Sequence, residues 1–167
     1  MSALIVVMGV SGCGKTSVGK ALAGRLGADF LDGDDLHPSA NIKKMSAGEP
    51  LTDADRVPWL QAIGEKFAEA RSSGNGLVVA CSALKRAYRE QIAQYAQLTF
   101  IHPQASRLVL LERLSKRTGH FMPVSLLDSQ LDALESLQSD ERGVELDARL
   151  TIEQQVRQVM RWLEATA

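Results

Sequence analysis

Residues Gly9-Val10-Ser11-Gly12-Cys13-Gly14-Lys15-Thr16 constrain this chain more than any others, because they fill the pattern G-x-x-x-x-G-K-[ST]. They follow directly on the apolar, β-branched run Leu4-Ile5-Val6-Val7-Met8, and Val18, Leu22 and Leu26 then recur at helical spacing. Strand, glycine-rich loop and helix in that order is the setting of a phosphate-binding P-loop. Glycines let the backbone curl so that successive N–H groups face a β-phosphate, and the positive end of the following helix faces the same anion. Lys15 is placed to reach the β and γ oxygens, and Thr16 to offer its hydroxyl to a bridging Mg²⁺. The run Gly9 to Thr16 is therefore expected to hold a nucleoside triphosphate.

Apolar runs recur at Ala28 to Leu31, Leu77 to Cys81, Leu98 to Ile101 and Val144 to Leu146. Between them lie helix-period stripes: Leu60, Ile63, Phe67 and Ala70; Leu127, Leu131 and Leu134; Ile152, Val156, Val159 and Leu163. This alternation predicts an α/β fold, a parallel sheet with helices on both faces. A length of 167 residues predicts one domain over 1–167. With 19 basic and 20 acidic residues the net charge is -1, which supplies no field for nucleic acid or an anionic membrane and leaves small molecules as partners. Cys13 and Cys81 make a poor basis for a disulfide framework or a metal site and fit a reducing compartment. The first strand is expected so close to Met1 that a charged and apolar leader has no room. No apolar run approaches the ~20 residues that span a bilayer, so the chain reads as soluble and cytoplasmic.

Two polar segments break the helix-strand rhythm, and function is expected there. The first runs from Asp32-Gly33-Asp34-Asp35-Leu36-His37-Pro38 through Asn41, Lys43 and Lys44 to Asp53-Ala54-Asp55-Arg56-Val57-Pro58-Trp59; the second is Arg113 to Pro123. In open α/β sheets ligands gather at the carboxyl ends of the strands, which brings both segments toward the γ-phosphate. Phosphoryl transfer to an alcohol needs a carboxylate to orient the hydroxyl or accept its proton, and Asp32 and Asp34, two apart in extended chain, point the same way. The same carboxylates could instead cap the helix that follows. No strand ends in the aspartate of a Walker B motif, so Mg²⁺ is expected on Thr16, phosphate and water, with Asp32 supporting it from behind the water. Lys85, Arg86 and Arg89 open the next helix and are either anion-binding or a solvated basic face. Arg113 and Arg117 resemble a lid closing over ATP, or serve as surface ion-pair partners. His37, His102 and His120 lack metal-ligand spacing; His102 reads as structural, His37 and His120 as neutral hydrogen-bonding groups.

Taken together, Phe30-Leu31-Asp32-Gly33-Asp34, Leu36-His37-Pro38, Asn41-Ile42, Lys44-Met45, Gly48, Pro50-Leu51, Asp53, Asp55-Arg56 and Pro58-Trp59-Leu60 strongly resemble the gluconokinases. Cys81-Ser82-Ala83-Leu84-Lys85, Tyr88-Arg89, Gly119-His120-Phe121-Met122, Ser129-Gln130 and Leu134-Glu135 extend the resemblance over nearly the full chain. It implies a five-stranded P-loop kinase fold of strand order 2-3-1-4-5 with a lid near Arg117 to Pro123, similar to shikimate and nucleoside monophosphate kinases. The implied reaction is ATP-dependent phosphorylation of D-gluconate on its terminal hydroxyl, feeding the pentose phosphate or Entner–Doudoroff route. Carried over by position, Asp34 is the base or hydroxyl-orienting residue, Asp32 supports Mg²⁺, and Lys15 and Arg117 meet the migrating charge. His37, Arg56, Lys85 and Arg89 grip gluconate, and His120 belongs to the lid. Arg113 borders the nucleotide, and a homodimer is implied. Cys13 stands where the family often has Ser and makes the loop a target for thiol reagents. Leu137-Gln138 replaces the usual Glu-Pro, and Leu131 stands where Phe is common.

Overall fold

Five parallel strands form one sheet: β1 (Leu4–Val7), β2 (Asp29–Asp32), β3 (Leu77–Ala80), β4 (Thr99–Gln104) and β5 (Gly143–Asp147). Their order is β2-β3-β1-β4-β5, the order expected from the resemblance. The computed structural model describes residues 2–117 and 124–167. Val6, Leu77, Val79 and Phe100 face one side of the sheet, where α3 (Asp53–Ser73) and α4 (Arg86–Ala93) cover them with Leu60, Ile63, Phe67 and Ile92. Ile5, Val7, Val78 and Ile101 face the other, under Val18 and Leu22 of α1 (Lys15–Leu26) and Val156 and Val159 of α7 (Ile152–Ala165). Side chains alternate in direction along a strand, so burial of both faces turns the central strands into unbroken apolar runs. Each such fully buried side chain contributes about 1.5–3 kcal/mol.

A third, smaller cluster lies under the phosphate loop. There α5 (Arg107–Ser115) and α6 (Val124–Ala133) bring Leu110 and Leu127 onto Val10 and Cys13. No helix of the described residues is long and apolar enough to cross a membrane.

Two departures from the sequence pattern have physical causes. β4 continues through Pro103 to Gln104, past the end expected at Ile101. β1 stops pairing with β4 at Val7–Ile101, and from there β4 pairs with β5 alone, so the N–H that proline lacks is not needed on the β1 side. The polar run from Asn41 to Trp59, which breaks the apolar rhythm in sequence, is largely helical: α2 (Ser39–Ser46), then the first turns of α3. Thr52 and Asp55 form a reciprocal capping box that starts α3 in spite of Pro58 within it.

Candidate active site

The phosphate loop is held at its base by the Met8 N–H, which donates to the Ile101 carbonyl at 2.8 Å, and the Gly9 N–H, which donates to that of Ser82 at 3.0 Å. Gly9 has φ 131°, and a Cβ there would stand 2.7 Å from the Cys13 sulfur. Gly14 takes φ 96° as the residue before α1, the left-handed turn that aims the loop into the helix axis. The first N–H groups of α1 have no intrahelical acceptor and carry the positive end of its dipole, which makes the anion seat. Lys15 Nζ donates to the Val10 carbonyl at 3.0 Å, so its charge already lies over the loop. Thr16 is exposed at the same helix start. Arg113 braces the loop from α5: Nη1 donates to the carbonyls of Gly12 at 3.3 Å and Cys13 at 3.5 Å, and Nη2 to that of Ala148 beyond β5.

Asp32 ends β2 and caps the 3₁₀ turn Gly33–Leu36, its Oδ1 accepting the Asp34 N–H at 3.0 Å. One oxygen of Asp32 thus fulfils the capping alternative. Gly33 lies so close to the end of β3 that a Cβ would meet the Ala80 carbonyl at 2.8 Å, and this contact sets Asp34 beside the phosphate loop. Asp34 is exposed toward the open end of the site, yet the protein around its carboxyl removes enough water to push it above its ordinary range; Asp32 and Asp35 add to the rise, and the nearby Lys15 charge opposes it. A carboxylate desolvated in this way is a stronger base than one in water.

Trp59, 2% exposed, donates from Nε1 to the Gly33 carbonyl at 2.8 Å and stacks on the His37 ring with centroids 4.2 Å apart. The Asn41 amide donates to the Asp55 carbonyl at 2.9 Å and lies 3.4 Å from His37 Nδ1. Because that nitrogen of Asn41 is fixed as a donor, Nδ1 is the acceptor and the imidazole proton sits on Nε2. Burial, then the Arg56 charge, lowers the His37 pKa, so the ring is a neutral donor. On the far side of Arg56, Tyr88 gathers two cations: the Arg56 guanidinium lies 5.2 Å and Lys85 Nζ 5.6 Å from its ring centroid. The Tyr88 hydroxyl donates to Asp53, which also accepts from Lys85 at 3.3 Å.

Residues 4–137 match the protein family described as "AAA domain". The chain is 54% identical over 138 residues to a gluconokinase of Gluconobacter oxydans, an alignment covering 82% of this chain and 78% of the relative. It is 44% identical over 141 residues to the thermosensitive gluconokinase of Escherichia coli, covering 83% and 75%. A crystal structure of a gluconokinase from Sinorhizobium meliloti superposes with a TM-score of 0.89 at 49% identity, over 99% of this chain and 93% of that one. The chain belongs to the gluconokinase family. A shikimate kinase from Bacteroides thetaiotaomicron, at 20% identity and a TM-score of 0.68 over 97% of this chain and 98% of that one, shares the fold.

In this gluconokinase-family chain Lys15, Asp32 and Asp34 come close together, while His37, just past the 3₁₀ turn, lies near Arg56 of α3, and Arg56 and Lys85, the residue before α4, share the Tyr88 ring. Arg89 does not join them. It is 1% exposed and turns inward, donating to both oxygens of Glu141 at 2.6 and 3.0 Å and to the carbonyls of Ala83, Leu84, Glu135 and Ser136. Ala83 has φ 43°, a conformation that costs a non-glycine residue about 1–3 kcal/mol and is kept where neighbours hold it. Arg89 holds this turn, which delivers Lys85, and its guanidinium is committed before any acceptor arrives. Arg86 is likewise tied to Asp140 and Glu90. Cys13 is buried in the cluster beneath the loop, not displayed in it, which removes the expected exposure to thiol reagents. His102 is buried next to Gly9 with its pKa lowered to about 4 by burial and by the Arg89 and Lys15 charges, as befits a neutral structural ring. Arg117 lies exposed just past α5; His120 lies outside the described residues. Tyr88 and Asp53 are functional-site residues that the sequence alone does not disclose. Tyr88 sits one helical turn from Lys85, and Asp53 one turn from Arg56, a signal readable only once the start of α3 is known.

Proposed function

We propose that the chain transfers the γ-phosphoryl group of ATP to the terminal hydroxyl of D-gluconate, releasing 6-phospho-D-gluconate and ADP, as one kinase domain over residues 1–167. The observation that carries this reading is the pairing of Asp34, whose carboxyl is held above its ordinary range beside the P-loop lysine, with two cations, Arg56 and Lys85, on the single ring of Tyr88. Such an arrangement suits an acceptor with a carboxylate at one end and a hydroxyl at the other.

The α1 start takes the β-phosphate, and Lys15 exchanges the Val10 carbonyl for phosphate oxygens. Asp34 accepts the proton of the hydroxyl as its oxygen bonds to the γ-phosphorus and the bond to the β-phosphate oxygen breaks. Arg56 and Lys85 hold the carboxylate, and His37 donates from Nε2 to a hydroxyl of the acid. Arg117 is assigned the charge of the transferring group. Thr16 supplies a hard oxygen at the helix start, and Asp32 has a second oxygen beyond its cap; among the described residues no three His, Cys, Asp or Glu form a metal cage. That donor set fits Mg²⁺ held chiefly by phosphate and water. When bound, Mg²⁺ would neutralise charge on the β and γ oxygens.

The test is ADP release with Mg-ATP in the presence of D-gluconate, shikimate, glycerate or no acceptor. Gluconate-dependent release, with the product oxidised by 6-phosphogluconate dehydrogenase, is expected. A larger kcat/KM with another acid would reassign the acceptor; no stimulation by any acid, from protein that binds ATP, would overturn the reading.

A further inference from the structure

Val10 and Ser11 share one peptide unit, and side chains from elsewhere hold both of its polar atoms. Lys15 Nζ donates to the carbonyl at 3.0 Å, and the N–H donates to Oε1 of Gln130 at 2.8 Å. A trans peptide places these two atoms on opposite edges of one rigid plane. Whatever fixes the N–H therefore fixes the direction in which the carbonyl meets the lysine. The bond to Gln130 also polarises the unit, because hydrogen bonds in series strengthen one another.

Gln130 lies on α6, the helix that follows residues 118–123, and 119 positions from Ser11. That helix is anchored without it. Leu127 and Leu131 pack with Val10, Cys13 and Leu110, and the Glu135 N–H just beyond donates to the Leu84 carbonyl at 2.8 Å. The helix therefore has docking contacts independent of this amide. The amide's specific effect is on the Val10–Ser11 plane.

We propose that Gln130 is a positioning residue for the phosphate-loop lysine, acting through the Val10–Ser11 peptide. With the plane held, Lys15 rests on a carbonyl at the edge of the anion seat and moves to phosphate oxygens without the loop changing shape. The inference depends on the loop binding a nucleotide and is independent of which acid is the acceptor.

A double-mutant cycle on ATP affinity tests it by calorimetry, with Gln130→Met keeping length and packing while removing the acceptor. One hydrogen bond is worth a loss of roughly two- to tenfold. That loss is expected when Lys15 is present and should vanish in a Lys15→Met background. Equal losses in both backgrounds would mean that Gln130 supports the loop at large and would overturn the proposal, as would no loss with Lys15 present. Gln130→Ala repeats the cycle with a second side chain, and thermal unfolding checks each fold. A readout without nucleotide is the ¹⁵N-labelled Lys15 Nζ resonance, assigned by its loss in Lys15→Met. It should move in Gln130→Met, and an unmoved resonance also refutes the coupling. Failure of gluconate phosphorylation would leave both measurements standing.

Discussion

Glu141→Gln isolates the inward-facing arginine cluster. The substitution keeps size and hydrogen-bonding shape but removes the charge opposite Arg89, whose side chain is 1% exposed beside a glutamate 9% exposed. An uncompensated buried charge costs about 3–5 kcal/mol, a large part of the ~5–15 kcal/mol that holds a domain folded. At about 2–4 °C per kcal/mol for a chain of this size, the melting midpoint should fall by roughly 6–20 °C. Urea unfolding and calorimetry would read the loss, and gluconate KM measured well below the new midpoint should stay near wild type. Undiminished stability with a raised gluconate KM would refute the clamp and return Arg89 to the acceptor site. Burial alone pushes the Glu141 carboxyl up, but hydrogen bonds from Arg89 and the Gln138 N–H, with the Arg89 and Arg86 charges, outweigh it and leave it below its ordinary value. The stabilisation is therefore complete above the unfolded glutamate range and is lost as pH falls through the lower folded value. In Glu141→Gln that acid limb should flatten.

Asp34→Asn should lower kcat by about 10²–10⁴ while nucleotide affinity holds, and wild-type turnover would remove Asp34 from its role. Because the folded Asp34 pKa is raised, the wild-type rate should decline on the acid side with an apparent pKa above 3.8, a limb absent from whatever activity Asp34→Asn retains. Arg56→Ala should raise the gluconate KM with little change in that for ATP; the reverse pattern would move Arg56 to the nucleotide side. Cys13 and Cys81 are buried, with the Cys81 thiol pushed up to about 12 by burial, so iodoacetamide should label neither until urea unfolds the chain. Fast labelling of the native protein would contradict their placement.

The sheet was legible in sequence because strands covered on both faces read as apolar runs, and the phosphate loop because its spacing is fixed by backbone geometry. The start of α3 was not. Pro58 and the acidic run from Asp53 look like loop chemistry and mask the local Thr52-x-x-Asp55 capping box that starts the helix in spite of them. Arg89 departs from its expected place for a related reason. A basic residue at a helix start reads as surface or site, and its inward turn is dictated by Glu141, 52 positions away. Tyr88 and Asp53 belong to the family pattern, but nothing in their type or spacing discloses their work, which is to hold Arg56 and Lys85.

The braces of the phosphate loop have a consequence for how the protein is made. The loop is synthesised well before the parts that hold it: Arg113 reaches Gly12 from 101 positions on, Gln130 reaches Ser11 from 119, and Ala148 follows later still. Until those parts are synthesised and docked, the glycine-rich turn has neither its carbonyls held nor its third N–H engaged. A nascent or truncated chain then carries the whole motif without a finished anion seat. Nucleotide thus meets a competent loop only when nearly all of the sheet is in place, and ATP, once bound, stabilises the completed fold over every shorter one.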